Sequence, residues 1–128
     1  MGTDSLVAPI RDAEHRDVGG VGVDTFRAGN ARVKRMIYPP GFNWRAHLQT
    51  TIGTSLCEHA HVGFLAQGEM HVRFENGDVE IFKAPQFVAV QPRHEGWVVG
   101  DEPAVLIEFD FEGATVTTLN VPVTHGPR

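Results

Sequence analysis

Residues 54–74 read TSLCEHAHVGFLAQGEMHVRF. Cys57, His59 and His61 fall at every second position, and an apolar segment follows without a break. In an extended strand, residues two apart point the same way, roughly 7 Å from each other along the chain. The three side chains then share one face, and Glu58, Ala60, Val62, Phe64 and Ala66 take the other, mostly apolar one. Soft metal ligands on one side and a surface needing cover on the other fit the wall of a barrel. One face lines a pocket; the other packs against a second sheet or subunit.

The rest of the chain supports that wall. Short segments rich in Val, Ile, Phe and Thr are punctuated by Gly and Pro. ARVKRMIY (31–38) stops at Pro39-Pro40-Gly41, and MHVRFE (70–75) sets Met70, Val72 and Phe74 against His71, Arg73 and Glu75. Asn76-Gly77 predicts a tight type I′ hairpin returning through DVEIFKA (78–84). QFVAVQP (86–92), GWVVG (96–100), AVLIEFDF (104–111) and TVTTLNVPV (115–123) read as further strands, and a loose tail, THGPR, ends the chain. A short helix within residues 5–18, capped by Ser5, competes there with Pro9. The expectation is an all-β jelly-roll barrel of seven to nine short antiparallel strands, with room for one short N-terminal helix.

Composition narrows the function classes. The 128 residues suit one domain, and a hydrophobic fraction of 41% with 21% charged residues is ordinary for a globular protein. No apolar run approaches the roughly 20 residues of a membrane helix. The first residues lack a charged-then-apolar signal layout, and the myristoylation pattern after Met1-Gly2 is incomplete. A single cysteine excludes an internal disulfide and suits a reducing compartment, so a cytoplasmic location is expected. The net charge is −5 and the 11 Lys and Arg are scattered, which argues against nucleic-acid and membrane partners.

Imidazole and thiolate are ligands for transition metals and not for Mg or Ca. Two strand histidines need a third ligand from elsewhere, and His94, at the start of the GWVVG strand, is the best candidate. The competing reading is plain: a buried cysteine is usually a small hydrophobe, and a strand histidine is more often a hydrogen-bonding residue than a ligand.

These residues resemble the cupin superfamily. Its first motif, G-x5-HxH-x3,4-E-x6-G, is met on its left by Gly53-x5-His59-Ala60-His61. On its right, counting back from Gly68, His61 stands where the family has Glu, with Cys57 and Ser55 at the two histidine places. The motif is compressed, and His61 is a ligand in both registers. The second motif, G-x5-PxG-x2-H, resembles PQFVAVQPRHEGW (85–97). Pro85 stands at its first glycine, Gln91 at its proline, Arg93 at its second glycine, and His94 comes two places early. A closer likeness is to a group of small single-domain cupins of mostly unassigned function. It is carried by Trp44, Cys57-x3-His61-Val62-Gly63, Gly68, Gly77-Asp78 and HEGWVVGDEP at 94–103.

That resemblance spans about residues 30–112 and divides the chain into an N-terminal extension, partly irregular (1–29), a barrel core (30–112) and a C-terminal strand and tail (113–128). It implies a cupin-type jelly roll with a mononuclear metal site built from His61, His94 and one or both of Cys57 and His59. Zn or Fe leads as the metal, with Ni, Cu and Mn behind. His47, Phe64 and Trp97 are candidate pocket residues. The implied function is a metal-dependent enzyme acting on a small polar molecule, an oxygenase or a Lewis-acid isomerase or lyase. A non-catalytic small-molecule or metal sensor, and a metal-free ligand-binding cupin, stand as alternatives. Open sheet edges and the Val62-Phe64-Ala66 face lead us to expect a homodimer.

Overall fold

The computed structural model describes residues 5–54, 56–57 and 60–111. Among them the chain forms β1 (Glu14–Val18), β2 (Val21–Ala28), β3 (Ala31–Tyr38), α1 (Trp44–His47), α2 (Gln49–Ile52), β4 (His61–Gln67), β5 (Glu69–Phe74), β6 (Val79–Lys83), β7 (Gln86–Val90), β8 (His94–Val99) and β9 (Ala104–Phe111). The segment 115–123, expected as a last strand, lies outside the described residues. Two antiparallel sheets face each other, one in the order β1-β2-β3-β9-β4-β7 and one in the order β6-β5-β8. Short connections of a few residues carry the chain between sheets, from β4 to β5, β6 to β7, β7 to β8 and β8 to β9, and the architecture is the expected jelly roll.

Alternation sets what faces inward. Val21, Tyr38, Leu65, Val88, Val90 and Leu106 of the larger sheet meet Val72, Phe82 and Val98 of the smaller one in a single core. Phe42 and Trp44, just before and at the start of α1, are also buried in it.

Helix falls elsewhere than expected. No helix forms within residues 5–18; β1 occupies Glu14–Val18 and pairs with β2 through a two-residue Gly19-Gly20 turn. Both glycines take positive φ, at 57° and 86°, the conformation a two-residue hairpin requires. Residues 14–28 of the expected extension therefore supply two strands of the larger sheet. The helical turns lie at 44–52 instead, where the Asn43 side chain accepts from the Ala46 amide at 3.2 Å and Gly53, at φ 89°, ends the run. Buried Trp44 anchors them, and one turn is too short for a hydrophobic period to show in sequence.

The turn at Asn76-Gly77 also differs in kind. Only Gly77 takes positive φ, at 95°. Phe74 donates to the Asp78 carbonyl at 2.8 Å and its own carbonyl accepts from the Gly77 amide at 2.8 Å, which makes a three-residue loop with a glycine bulge. The Asn76 side chain accepts from the Asp78 amide at 3.0 Å, a local bond that competes with the tighter turn.

Gly63 sits where β4 and β9 come closest. A Cβ there would fall inside the contact shell of the Ile107 carbonyl and crowd the Glu108 Cα. We expect Gly63→Ala to cost about 3 kcal/mol of stability, read as a lowered denaturation midpoint with an unchanged denaturant slope.

Candidate metal centre

Cys57 and His94 are tied together by backbone. The Cys57 amide donates to the His94 carbonyl at 2.7 Å, and the Arg93 amide donates to the Cys57 carbonyl at 2.6 Å. Arg93 has φ 72°, in the left-handed region, at the place where the resembled motif has glycine. The backbone bend of that motif is thus kept without its residue.

His94 is buried, and its Nδ1 lies 2.7 Å from the Gln91 carbonyl. With the Nδ1 proton donated there, Nε2 is the free lone pair. His61 opens β4 and points into the barrel. Its Nδ1 lies 3.1 Å from Glu108 Oε2 and its Nε2 3.8 Å from the Cys57 sulfur. The two imidazole centroids are 5.0 Å apart, near edge to face. One ligand atom from each of Cys57, His61 and His94 falls within 4.8 Å of the others. Each histidine is thus oriented through one nitrogen, by a carboxylate or a backbone carbonyl, which is the arrangement that fixes metal-binding imidazoles.

Glu108 was not among the candidates. It is 1% exposed, on β9, opposite Gly63 and so on the diagonal from His61. It places a buried carboxylate 3.1 Å from His61 Nδ1, from a strand more than forty residues later in the chain. The signal was present: Ala104, Leu106 and Glu108 share the inward face of AVLIEFDF, and a carboxylate among buried apolar positions needs a partner.

Burial alone would raise the Cys57 thiol, but hydrogen bonds and charge from His61 and His94 outweigh it and bring the pKa down to about 6. For His61, burial favours the neutral ring, yet the Glu108 charge and the Cys57 contact lift it to about 10. Without metal, the site at neutral pH is therefore a thiolate, an imidazolium and a carboxylate in series. Iodoacetamide should alkylate Cys57 of metal-free protein with a rate that falls as the pH drops through about 6, the thiolate being the nucleophile. An ordinary thiol, titrating near pH 9, would already have lost most of that rate at pH 7.

The cluster opens on a cavity of about 460 Å³ between the sheets. Trp44, Leu65, Met70, Phe82, Val88 and Leu106 are among the mostly apolar residues around it. His47, Phe64 and Trp97, expected in the pocket, are not among the residues lining it. Phe64 lies three positions from His61 and Trp97 three from His94, odd spacings that put each on the outer face of its strand. Phe64 packs on Phe87 with centroids 5.5 Å apart, and Trp97 stacks near His71 and the Arg73 guanidinium, 5.2 Å from its ring. His47 is exposed in α1, its ring stacked 5.6 Å from Phe42. His59 lies outside the described residues.

No family model and no curated protein sequence matches the chain. Solved structures do. The chain is similar to an RmlC-like cupin from Shewanella frigidimarina at 17% identity and a TM-score of 0.55, covering 84% of this chain and 91% of that one. A Cupin 2 conserved barrel domain protein from Salinispora arenicola is similar at 15% identity and a TM-score of 0.56, over 86% and 91%. Drosophila melanogaster CENP-C, solved bound to CAL1, is also similar, at 11% identity and a TM-score of 0.55, over 84% and 88%. The fold is a small antiparallel jelly-roll barrel like that of these cupins. Fold alone does not choose a function, and the side chains inside the barrel carry the rest.

Proposed function

We propose that the chain is a small-molecule-binding cupin whose barrel holds one divalent transition metal on Cys57, His61 and His94, and that it acts as a Lewis-acid enzyme. The observation that carries this reading is the donor set: a thiol and two imidazole nitrogens converging beside an apolar cavity, each imidazole oriented from behind. Three protein ligands leave a position for water or substrate, as in catalytic zinc sites. The thiolate favours zinc over iron and is poorly suited to oxygen activation, where it would itself be oxidised. A metal bound there would polarise a carbonyl or enolate oxygen of the substrate. Glu108 would hold the Nδ1 proton of His61, Gln91 that of His94, and the apolar walls would exclude water.

Cobalt(II) substitution tests the site. Metal-free protein should take up one equivalent and show a thiolate-to-metal charge-transfer band that Cys57→Ser removes. One-to-one binding without that band would take Cys57 out of the site; no uptake would end the reading. Metal affinity should also depend on pH. Between pH 6 and 10 an ion must displace the His61 proton, so affinity rises about tenfold per unit; below pH 6 the Cys57 proton must leave too, and the dependence steepens.

A second copy of the chain is the proposed partner. On the outer face of the larger sheet, Phe26, Val33 and Phe109 lie directly opposite one another across three strands, and Ile107, Phe64 and Phe87 form a neighbouring row. Phe26, Phe109 and Phe87 are 50%, 55% and 83% exposed. Light scattering should give a dimer mass, and Phe87→Glu with Phe109→Lys should give a monomer.

A further inference from the structure

The cavity is polarised along the strand direction. On three adjacent strands of the larger sheet, the inward positions run from charged or metal-ligating to uncharged in the same sense. On β3 they are Lys34, Met36 and Tyr38, on β9 Glu108, Leu106 and Ala104, and on β4 His61, Gly63 and Leu65. Register aligns these rows, since Lys34 is the cross-strand partner of Glu108, Met36 of Leu106 and Tyr38 of Ala104. Leu65 likewise pairs with Leu106, and Gly63 with Glu108. Across the barrel β8 follows the same order, with His94 at its start and Val98 near its end. The charged and metal-ligating groups of these rows therefore sit at one end. The other end is mostly apolar, with the Tyr38 phenol among its side chains.

We propose that the ligand is an amphipathic monoanion, with one oxygen-bearing head at the Cys57, His61, His94 and Lys34 end and an unbranched or lightly substituted apolar body along Leu65, Leu106, Phe82 and Val88. This deepens the functional reading above, and its head-group half rests on that reading; its apolar-body half does not. It also departs from the polar substrate expected from sequence. A polyhydroxylated body would have to leave water for a mostly apolar wall, where the Tyr38 phenol and the Trp44 indole are too few to pair all its hydroxyls, and burying such groups unpaired is strongly unfavourable. The volume of about 460 Å³ lies within the range of small-molecule pockets. The head is anionic because it must meet any cation held by the three ligands, beside the Lys34 and Glu108 cross-strand pair.

The test uses the tryptophan already in the cavity. Trp44 lines it and is 4% exposed, whereas Trp97 is on the outer face, so Trp97→Phe leaves one internal fluorophore. The probes are the straight-chain carboxylates butyrate, hexanoate, octanoate and decanoate, with octanol and gluconate as controls, each titrated into metal-free and zinc-loaded protein. Affinity should rise about threefold or more per methylene until the cavity is full. Gluconate should bind at least about a hundredfold more weakly than hexanoate, its six-carbon counterpart without hydroxyls. Zinc should strengthen octanoate more than octanol. Leu106→Phe, which fills the apolar end with hydrocarbon, should shorten the optimal chain.

Affinity that is flat with chain length, or equal for gluconate and hexanoate, overturns the apolar body, even if zinc strengthens every carboxylate and the metal reading stands. A clear chain-length series unaffected by zinc keeps the apolar body but overturns the head-group assignment, and with it the open metal position. If Leu106→Phe does not fold, the series on the otherwise unchanged chain still decides.

Discussion

His61→Ala and His94→Ala each lower zinc affinity by about a thousandfold, and the double variant retains no stoichiometric metal. The magnitude follows from removing one of three soft ligands from a site whose full ligation is worth many kcal/mol. Competition against a chromophoric chelator gives the dissociation constants, and far-UV circular dichroism checks that the barrel persists. The two variants should differ in stability. Removing His61 leaves Glu108, 1% exposed, beside the Cys57 thiol without the imidazole 3.1 Å away, so this variant also melts earlier. Removing His94 takes away a ring bonded mainly to a backbone carbonyl, and costs less. Glu108→Gln separates support from ligation: it keeps all three donors and weakens zinc by about 10- to 100-fold, as for other groups that orient a metal-binding imidazole from behind. A double histidine variant that keeps its full metal content would remove the site.

Asp24→Ala lowers unfolding free energy by about 3–5 kcal/mol, the usual cost of stranding one member of a buried ion pair. Asp24 and Arg35 are cross-strand partners on the outer face of the larger sheet, and their side chains are only 5% and 6% exposed. Arg35 places both Nε and Nη2 on Asp24 Oδ2, at 3.2 and 2.8 Å, and donates through Nη1 to the Leu6 carbonyl at 3.0 Å. The pair therefore also pins the N-terminal segment to the sheet. His15 adds a contact to Asp24 Oδ1 at 2.8 Å. Without Asp24 the Arg35 charge stays buried, so Asp24→Ala with Arg35→Met should recover much of the loss. Thermal unfolding monitored by circular dichroism decides it; equal losses in the single and double variants would show that the charge pairing is not what holds this face. Acid has a related effect. Burial pushes the Asp24 carboxyl up, but His15 and Arg35 outweigh it and hold the pKa below its ordinary 3.8. Its contribution is thus full above that value and disappears as pH falls through the lower, folded one.

Strand content could be read from local order alone. MHVRFE alternates with period two and AVLIEFDF is a short apolar run bounded by a turn, and β5 and β9 lie on them. Cys57 and His61 were candidates from their spacing and His94 from the resembled motif, and the structure brings the three side chains together. Strand parity argued against Phe64 and Trp97 as pocket walls, since both are an odd number of positions from a ligand. The helical turns at 44–52 were hidden because Asn43 and Gly53 cap a run too short to repeat its pattern. In residues 14–18, within the stretch 5–18 expected to hold a helix, the Gly19-Gly20 turn and pairing with β2 gave a strand instead.

Period, turn residues and the closeness of Cys57 to His61 are properties of neighbouring positions, and any extended chain with this order of residues would show them. Which strands lie side by side is not such a property. β9 inserts between β3 and β4, and that long-range pairing alone brings Glu108 to His61 and Lys34 opposite Glu108, at one end of the cavity. Registers between distant segments are set by how both sheets bury their apolar faces together, a cooperative outcome that no short window of residues contains.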